Sequence, residues 1–285
     1  MDESKRIKKL RGEVIKAIPK FPNNRETKER LEGMPLATLL IHYLNWMIRY
    51  VSVKPRKTII EPTVTADPRW RSLRVQVKAL LGRVQLGENL TPHLSIQPHS
   101  KGYSPETSKT GPDVDRWTDK DFLLNVMGFH HFHLGEKVEA AGHVERTDDV
   151  LFARVSREYF TAIGIFNHSV FEPAGDEMSD ERKRLWKIFD EHTSRGVPPG
   201  SVVIPSHIAT SGHPLHVVHT AQEYARIIYE LDPKLDDPLF INELYGRAKV
   251  NAPEKIKLEW VLNFSDLGFH EARSNQLFVL RSGFN

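Results

Sequence analysis

The apolar positions in the first third of the chain repeat with the period of amphipathic helices. Residues 2–18 place apolar side chains three or four positions apart, and the same spacing recurs over 35–50 and 68–86. This spacing puts the apolar side chains on one face of a helix. We therefore expect residues 1–90 to form a helical subdomain.

Later segments have the composition of β-strands, because short apolar runs rich in β-branched and aromatic residues recur between turn residues. The segments 150–155 and 158–166 are separated by only two residues, which predicts a hairpin. A second hairpin is predicted from 257–264 and 276–281. The full set of predicted strands covers residues 129–134, 150–155, 158–166, 201–205, 257–264 and 276–281.

Helices are predicted between these strands. Ser179 precedes an amphipathic segment at 180–195 as an N-cap, and Thr220 with Glu223 forms a capping-box pattern. A further short helix is predicted around 237–245. The resulting fold class is α+β, with an N-terminal helical subdomain followed by a mixed or antiparallel sheet with inserted helices.

A polar stretch separates the two parts. Residues 91–119 are rich in Pro, Ser, Thr, Gly and His, and the part from 98 to 112 reads as an exposed loop. The predicted organisation is a helical subdomain at 1–90, a loop or linker at 91–119, and an α+β domain at 120–285.

Composition excludes several classes of site. The chain has no cysteine, which rules out disulfides, thiolate zinc sites, iron–sulfur clusters and a cysteine nucleophile. The start, MDESKRIKKL, has no apolar signal-peptide core, and the most apolar stretch is too short for a transmembrane helix. A cytoplasmic protein that does not bind membranes is therefore expected.

Charge is divided unevenly along the chain. Residues 1–90 carry 19 Lys and Arg against 9 Asp and Glu, a net of +10, whereas residues 91–285 have a net of −7. A basic region of this kind is typical of proteins that contact phosphate. We assign RNA binding to Arg69, Lys78 and Arg83; the alternative is that the basic residues only solvate helices or attract the acidic part.

Five histidines fall between positions 130 and 168. Side chains alternate along a strand, so His131 and His133 share one face with Phe129, while His130 shares the other with Phe132. The second face is expected to be the core side. His131 and His133 are then adjacent imidazoles on the less apolar face.

Metal binding is one chemistry that suits this histidine pair. Two imidazoles on one strand face can bind one ion, with His143, His168 or Glu136 as a third ligand. The metal alternative thus predicts a divalent transition metal such as zinc, held by His131, His133 and His143.

RNA cleavage without a metal is the other chemistry, and it requires no cofactor. It uses a general base at the ribose 2′-OH, a general acid at the leaving oxygen, and a cation beside the phosphorane. Histidine transfers protons near neutral pH. The predicted catalytic residues are His131, His133, Arg146 and His168.

The segment RTDDVLFARVSREYFTAIGIFNHSVFE resembles the sheet core of RelE-like ribonuclease toxins. In those toxins a charged residue precedes one strand, a tight turn follows, and the second strand ends in a histidine or a basic residue. Arg146 and His168 match these two positions. The resemblance covers residues 129–172, and it implies RNA cleavage and leaves room for a protein antitoxin as a partner.

A second histidine group, SHIATSGHPLHVVH, spans residues 206–219. The spacing of His213, His216 and His219 is compatible with metal binding, but loop histidines are the main expectation. Pro214 argues against a regular helix at this point.

The sequence therefore predicts a metal-independent endoribonuclease of toxin or defence type that uses histidine acid–base catalysis. Two alternatives stay open. One is a metal-dependent enzyme centred on His131 and His133, and the other is a non-enzymatic nucleic-acid-binding module.

Overall fold

The structure is a computed structural model of the 285-residue chain. It describes residues 3–95, 99, 101–105, 121–172, 177–198, 200–201 and 208–284. The strand predicted at 201–205 lies outside the described residues except for Ser201, and His207 also lies outside them. Most of the predicted loop at 98–112 does so too.

The described residues form both helices and strands, which confirms the α+β class. The helices are α1 (Lys5–Ala17), α2 (Arg25–Gly33), α3 (Leu36–Met47), α4 (Pro62–Thr65), α5 (Trp70–Leu86), α6 (Phe122–Met127), α7 (Asp180–Thr193), α8 (Leu215–Leu231) and α9 (Pro238–Ala248). The strands are β1 (Lys57–Ile60), β2 (Phe129–His133), β3 (Asp149–Val155), β4 (Tyr159–Asn167), β5 (Leu258–Asn263), β6 (Asp266–Glu271) and β7 (Gln276–Arg281).

The chain divides into two compact units. The first contains the described residues of 1–48, 98–120 and 213–284, and the second contains those of 49–97 and 121–212. This division differs from the predicted helical subdomain at 1–90. Residues 49–90 belong to the second unit because β1 pairs with β4 and α5 packs against the same sheet.

The second unit is built on a four-stranded sheet with the order β1-β4-β3-β2. β1 runs parallel to β4, whereas β4, β3 and β2 pair antiparallel. The predicted hairpin of β3 and β4 is confirmed. The sheet therefore joins a segment from the predicted helical region to the three predicted strands.

Both faces of this sheet are covered, so its strands are apolar on both sides. On one face Phe132 and Leu151 pack with Val77 and Leu81 of α5. The opposite face has a separate apolar cluster. This second cluster contains Phe129, Val150 and Phe152 together with Leu185, Ile188 and Phe189 of α7.

A buried ion-pair network ties α5 and α7 to the sheet. The side chain of Asp67 is fully buried and accepts hydrogen bonds from Arg69 at 2.9 Å and from Arg184 at 2.7 Å. Arg69 also pairs with Glu181 at 3.1 Å and donates to the Ile165 carbonyl at 2.9 Å. The network fixes the start of α5 beside the end of β4.

The first unit contains α1–α3, α8, α9 and a three-stranded antiparallel sheet with the order β5-β6-β7. The predicted direct hairpin of 257–264 with 276–281 is wrong, because β6 lies between the two strands. The pair Asn263–Asp266 closes a two-residue turn in which Phe264 has a φ of 59°. Phe264 is not a usual residue for positive φ, so the sequence carries no turn signal there.

Two helices in this unit differ from the sequence-based expectations. α8 begins at Leu215, with Pro214 as the N-cap, rather than at Thr220. Proline is tolerated at a helix start because the first backbone amides have no partner within the helix. α2 has no counterpart among the predicted helices, since only Thr27 and Leu31 of it are buried.

Local interactions stabilise α2 in place of an apolar face. The Asn24 side chain accepts a hydrogen bond from the Thr27 amide at 2.9 Å. Three ion pairs with i,i+4 spacing follow, for example Arg30 with Glu26 at 2.9 Å. In the described part of the chain, no helix is long and apolar enough to cross a membrane.

Candidate functional site

The ends of three strands in the second unit bring the predicted catalytic residues together. His133 ends β2 and lies opposite Val150 at the start of β3, while Asp149 lies opposite Asn167 at the end of β4. A 3-10 turn at His168–Phe171 follows β4, with the Asn167 side chain capping it through the Ser169 amide. His133 and His168 therefore meet at one edge of the sheet.

The predicted alternation of the histidines is confirmed, since Phe129 belongs to the α7-side cluster and Phe132 to the α5-side cluster. The His131 face is nevertheless covered by apolar residues and is not open to solvent along its length. The His131 ring lies 4.7 Å from that of Phe171 and 5.8 Å from that of Phe152. The face is aromatic because α7 and the 3-10 turn cover it.

The histidine cluster, formed by His131, His133 and His168, contains a ring contact between His133 and His168. Their ring centroids are 5.7 Å apart with an interplanar angle of 29°, which is a stacked arrangement. His133 is 2% exposed, whereas His168 is exposed. His168 thus forms the outer layer over a buried imidazole.

A backbone contact orients the His168 ring. Its Nδ1 lies 2.8 Å from the carbonyl oxygen of Asp148. A carbonyl only accepts, so Nδ1 carries the hydrogen and the neutral ring has its lone pair on Nε2. This arrangement presents one exposed basic nitrogen in a defined orientation.

His133 is buried and His131 is partly buried, and the neutral form of both is favoured. Burial, and then the charge of Arg146, lowers the pKa of His133 to about 3. Burial also lowers the pKa of His131, against the opposing charge of Asp121. The general-acid role predicted for these two residues therefore loses support, because neither carries a proton to give near neutral pH.

Arg146 is exposed, and its charge reaches both His131 and His133. All four predicted catalytic residues thus lie in one neighbourhood, but they differ in their exposure to solvent. His168 and Arg146 face solvent, whereas His133 is enclosed and its Nδ1 has no hydrogen-bond partner among the described residues. The expectation that His133 lies outside the core is wrong.

The predicted metal ligands do not form a ligand set in the described residues. These contain no group of three or more His, Asp or Glu side chains placed to hold a metal ion. The grouping of His131, His133 and His143 is therefore not assembled here. The same holds for His213, His216 and His219, and His216 and His219 lie within α8.

The predicted RNA-binding residues lie at or on α5, which covers the opposite face of the sheet from His131 and His133. The prediction for Arg69 has to change, because its guanidinium is engaged by Asp67, Asp149 and Glu181. Arg83 pairs with Glu88 at 3.1 Å on the surface, and Lys78 is exposed. Lys78 and Arg83 therefore belong to the helix that covers the other face, away from the His131 side chain.

Sequence reasoning missed several contributors to the site. His93 binds the His133 carbonyl through Nδ1 at 2.8 Å, and burial lowers its pKa. Phe171 and the Asp148 carbonyl were also missed. Every residue has a backbone carbonyl, so the residue type at position 148 could not indicate this contact. The position of Phe171 depends on the 3-10 turn after β4, which the sequence did not predict.

Comparison with protein-family models, curated proteins and solved structures found no match to this chain. The resemblance of residues 129–172 to RelE-like toxins stays a hypothesis.

The buried state of His133 predicts a pH-dependent stability. The ordinary histidine pKa is about 6.5, so between that pH and about 3 the unfolded chain binds a proton that the folded chain does not. Stability must then fall on acidification through this window, by about 1–2 kcal/mol from His133 alone at pH 5.

Urea unfolding of wild type and His133→Phe at pH 7.5 and at pH 5 tests this. Phenylalanine fills a similar volume and cannot titrate, so the variant should lose less stability at pH 5 than wild type does. Equal losses in both proteins would contradict a buried neutral His133.

Proposed function

We propose that the second unit cleaves RNA without a metal ion, with His168 as the general base and Arg146 as the electrostatic partner. The observation that carries this proposal is the exposed His168 ring, anchored through Nδ1 by the Asp148 carbonyl and stacked on His133. The side chain is exposed and the lone pair of the neutral ring is on Nε2, which is the nitrogen that a base would use.

The reaction that fits these groups is internal transesterification. His168 Nε2 takes the proton of a ribose 2′-OH, the 2′ oxygen attacks the adjacent phosphorus, and the bond from phosphorus to the 5′ oxygen breaks. The products are a 2′,3′-cyclic phosphate and a 5′-hydroxyl. The attack of the 2′ oxygen on phosphorus requires only the RNA and a group that accepts the 2′-OH proton.

Arg146 supplies the positive charge. Negative charge grows on the nonbridging phosphate oxygens as the pentacoordinate state forms, and a guanidinium stabilises it by forked hydrogen bonds. Arg146 is exposed beside the cluster, which leaves its donors accessible to a phosphate.

The leaving 5′ oxygen takes its proton from a water molecule in this scheme, and the resulting hydroxide takes back the proton that His168 acquired, which restores water and the neutral base. His133 is buried, His131 is partly buried, and the lowered pKa of each favours the neutral form, so both are assigned to positioning His168 rather than to proton transfer. The predicted mechanism with two histidines as base and acid is thus replaced by one with a single proton-transferring histidine.

Product analysis tests the proposal. We expect an unstructured RNA oligonucleotide to be cut to fragments that end in 2′,3′-cyclic phosphate, as measured by mass spectrometry. The same oligonucleotide with 2′-O-methyl groups should stay intact, because the nucleophile is blocked. Cleavage should continue in EDTA.

Each other outcome points to a stated alternative. Activity that EDTA abolishes and zinc restores would favour the metal-dependent enzyme. RNA that is bound and never cut would favour the non-enzymatic module. Cleavage of the 2′-O-methyl oligonucleotide would exclude the 2′-OH as the nucleophile.

A further inference from the structure

A groove of about 890 Å³ lies along α1 and α2 in the first unit. Its wall includes residues of both helices and of the segment that connects them, such as Lys20 and Asn23. It belongs to the first unit and shares no residue with the histidine cluster. Any ligand of this groove would therefore bind at a different site from the histidine cluster.

The lining of the groove contains six basic residues, and several of them already have acidic partners: Arg11 pairs with Glu3 at 3.3 Å, Arg25 with Glu29 at 2.6 Å and Lys28 with Glu32 at 3.5 Å. Among its described lining residues Glu32 alone carries a negative charge. Burial, and then the charge of Lys28, lowers the pKa of Lys20, and the Lys20 ammonium donates to the carbonyls of Ile15 and Ile18. The cationic lining residues are Lys8, Arg11, Lys16, Lys20, Arg25 and Lys28.

The start of α2 adds to this positive potential. Arg25 and Lys28 lie in its first turn, where the helix dipole disfavours cations. Asn23 and Asn24, just before the helix, also line the groove. Glu26 lies in the same turn and offsets part of this effect, and a bound anion would offset more of it.

A glycine opens the floor of the groove. Gly12 lies in the middle of α1, one turn from Lys8 and one turn from Lys16, and a Cβ there would meet nothing within 4 Å. Glycine in a helix interior is unfavourable, and here no neighbouring atom requires it. The space above its backbone is open.

We propose that this groove binds the phosphodiester backbone of a nucleic acid strand. The cations are spread along the groove: Lys8 and Lys16 are eight residues apart on α1, which is about 12 Å. A row of separated charges fits a linear polyanion better than one compact anion. This inference does not rest on the chemistry assigned to His168.

A lipid surface fits the same charges less well. A basic amphipathic helix binds membranes by inserting its apolar face. The apolar face of α1, formed by Ile7, Leu10, Val14 and Ile15, is buried in the protein. α1 therefore has only its polar side to offer, and that side forms a concave wall of the groove.

Replacing Gly12 by glutamate provides a sharp test, because it places a carboxylate among the lysines while every native side chain stays in place. Binding of a fluorescent, fully 2′-O-methylated 12-nucleotide oligonucleotide is measured by anisotropy between 50 and 200 mM salt, so that cleavage cannot interfere. We expect Gly12→Glu to weaken binding by roughly tenfold or more and to reduce the salt slope by about 0.7 for each phosphate that the groove no longer neutralises.

Matched glycine variants provide the controls. Gly12→Gln has nearly the same shape and no charge, and it should bind like wild type. Gly82 in α5 and Gly246 in α9 are also helical positions where a Cβ would meet nothing within 4 Å. Gly82→Glu adds the same charge beside Lys78, and Gly246→Glu adds it far along the chain from the groove; both should bind like wild type.

The outcomes separate this inference from the ribonuclease proposal. His168→Ala should bind the oligonucleotide like wild type, whatever its effect on cleavage. Loss of binding in Gly82→Glu but not in Gly12→Glu would overturn the inference in favour of α5. The inference would also be overturned, in favour of a membrane role, by wild-type protein that binds no oligonucleotide but binds phosphatidylserine vesicles, if Gly12→Glu weakens that vesicle binding.

Discussion

His168→Ala is expected to lower the rate of RNA cleavage by roughly 10²–10⁴-fold, the usual contribution of a general base. The side chain is exposed and is held by a hydrogen bond to the Asp148 carbonyl at the surface, so folding should be unaffected. Single-turnover cleavage measures the rate, and thermal unfolding checks the fold.

Two control variants test whether a reduced cleavage rate is specific to the loss of His168. His219→Ala removes an exposed histidine of α8 outside the cluster and should keep wild-type activity. His133→Phe keeps a ring beneath His168 and should lose much less activity than His168→Ala, because His133 is assigned to positioning. Wild-type activity in His168→Ala would refute the assignment of the base.

Asp67→Ala is expected to destabilise the protein by about 2–4 kcal/mol, because the variant leaves the partly buried guanidinium groups of Arg69 and Arg184 without their shared carboxylate. Urea unfolding at pH 7 measures the change in the free energy of unfolding. Glu88→Ala breaks the exposed pair with Arg83 and should cost less than about 1 kcal/mol.

The same carboxylate makes an acid-dependent contribution. Burial by itself would raise the pKa of Asp67, but the hydrogen bonds and charges of Arg69 and Arg184 lower it below the ordinary value. Its contribution to stability is therefore present above the unfolded pKa of about 3.9 and is lost as the pH falls through the lower folded pKa. Asp67→Ala should lack this acid-dependent loss; an unchanged acid profile would mean that another carboxylate dominates.

The ion-pair network also shows why charge in sequence misled the choice of binding residues. Arg69 belongs to a basic stretch, so the sequence suggests a phosphate contact. Its acidic partners Asp149 and Glu181 lie far along the chain and reach it only through the pairing of the sheet and the packing of α7. In the groove on α1 and α2 the cations are close in sequence, and the acidic partners of Arg25 and Lys28 lie only four residues away, so the sequence shows both the cations and their partners.

Periodicity along the chain was enough to predict α1, α3, α5, α7 and the hairpin of β3 and β4, since each has a regular pattern of apolar residues or a short turn. It missed β1 and α2, which have few buried side chains. These two elements depend on partners: β1 on its parallel pairing with β4, and α2 on its cap and ion pairs.

The sequence by itself determined the α+β class and which strand face each histidine of β2 occupies, because helix and strand periods are local properties of the chain. Only the tertiary structure decided that both faces of the sheet are covered, that His133 is buried and neutral, and that His168 lies over it. Burial and its effect on pKa come from residues distant in sequence, such as Phe152, Phe171 and those of α7. A local pattern places a side chain on a face, but the packing of other elements against that face decides its chemistry.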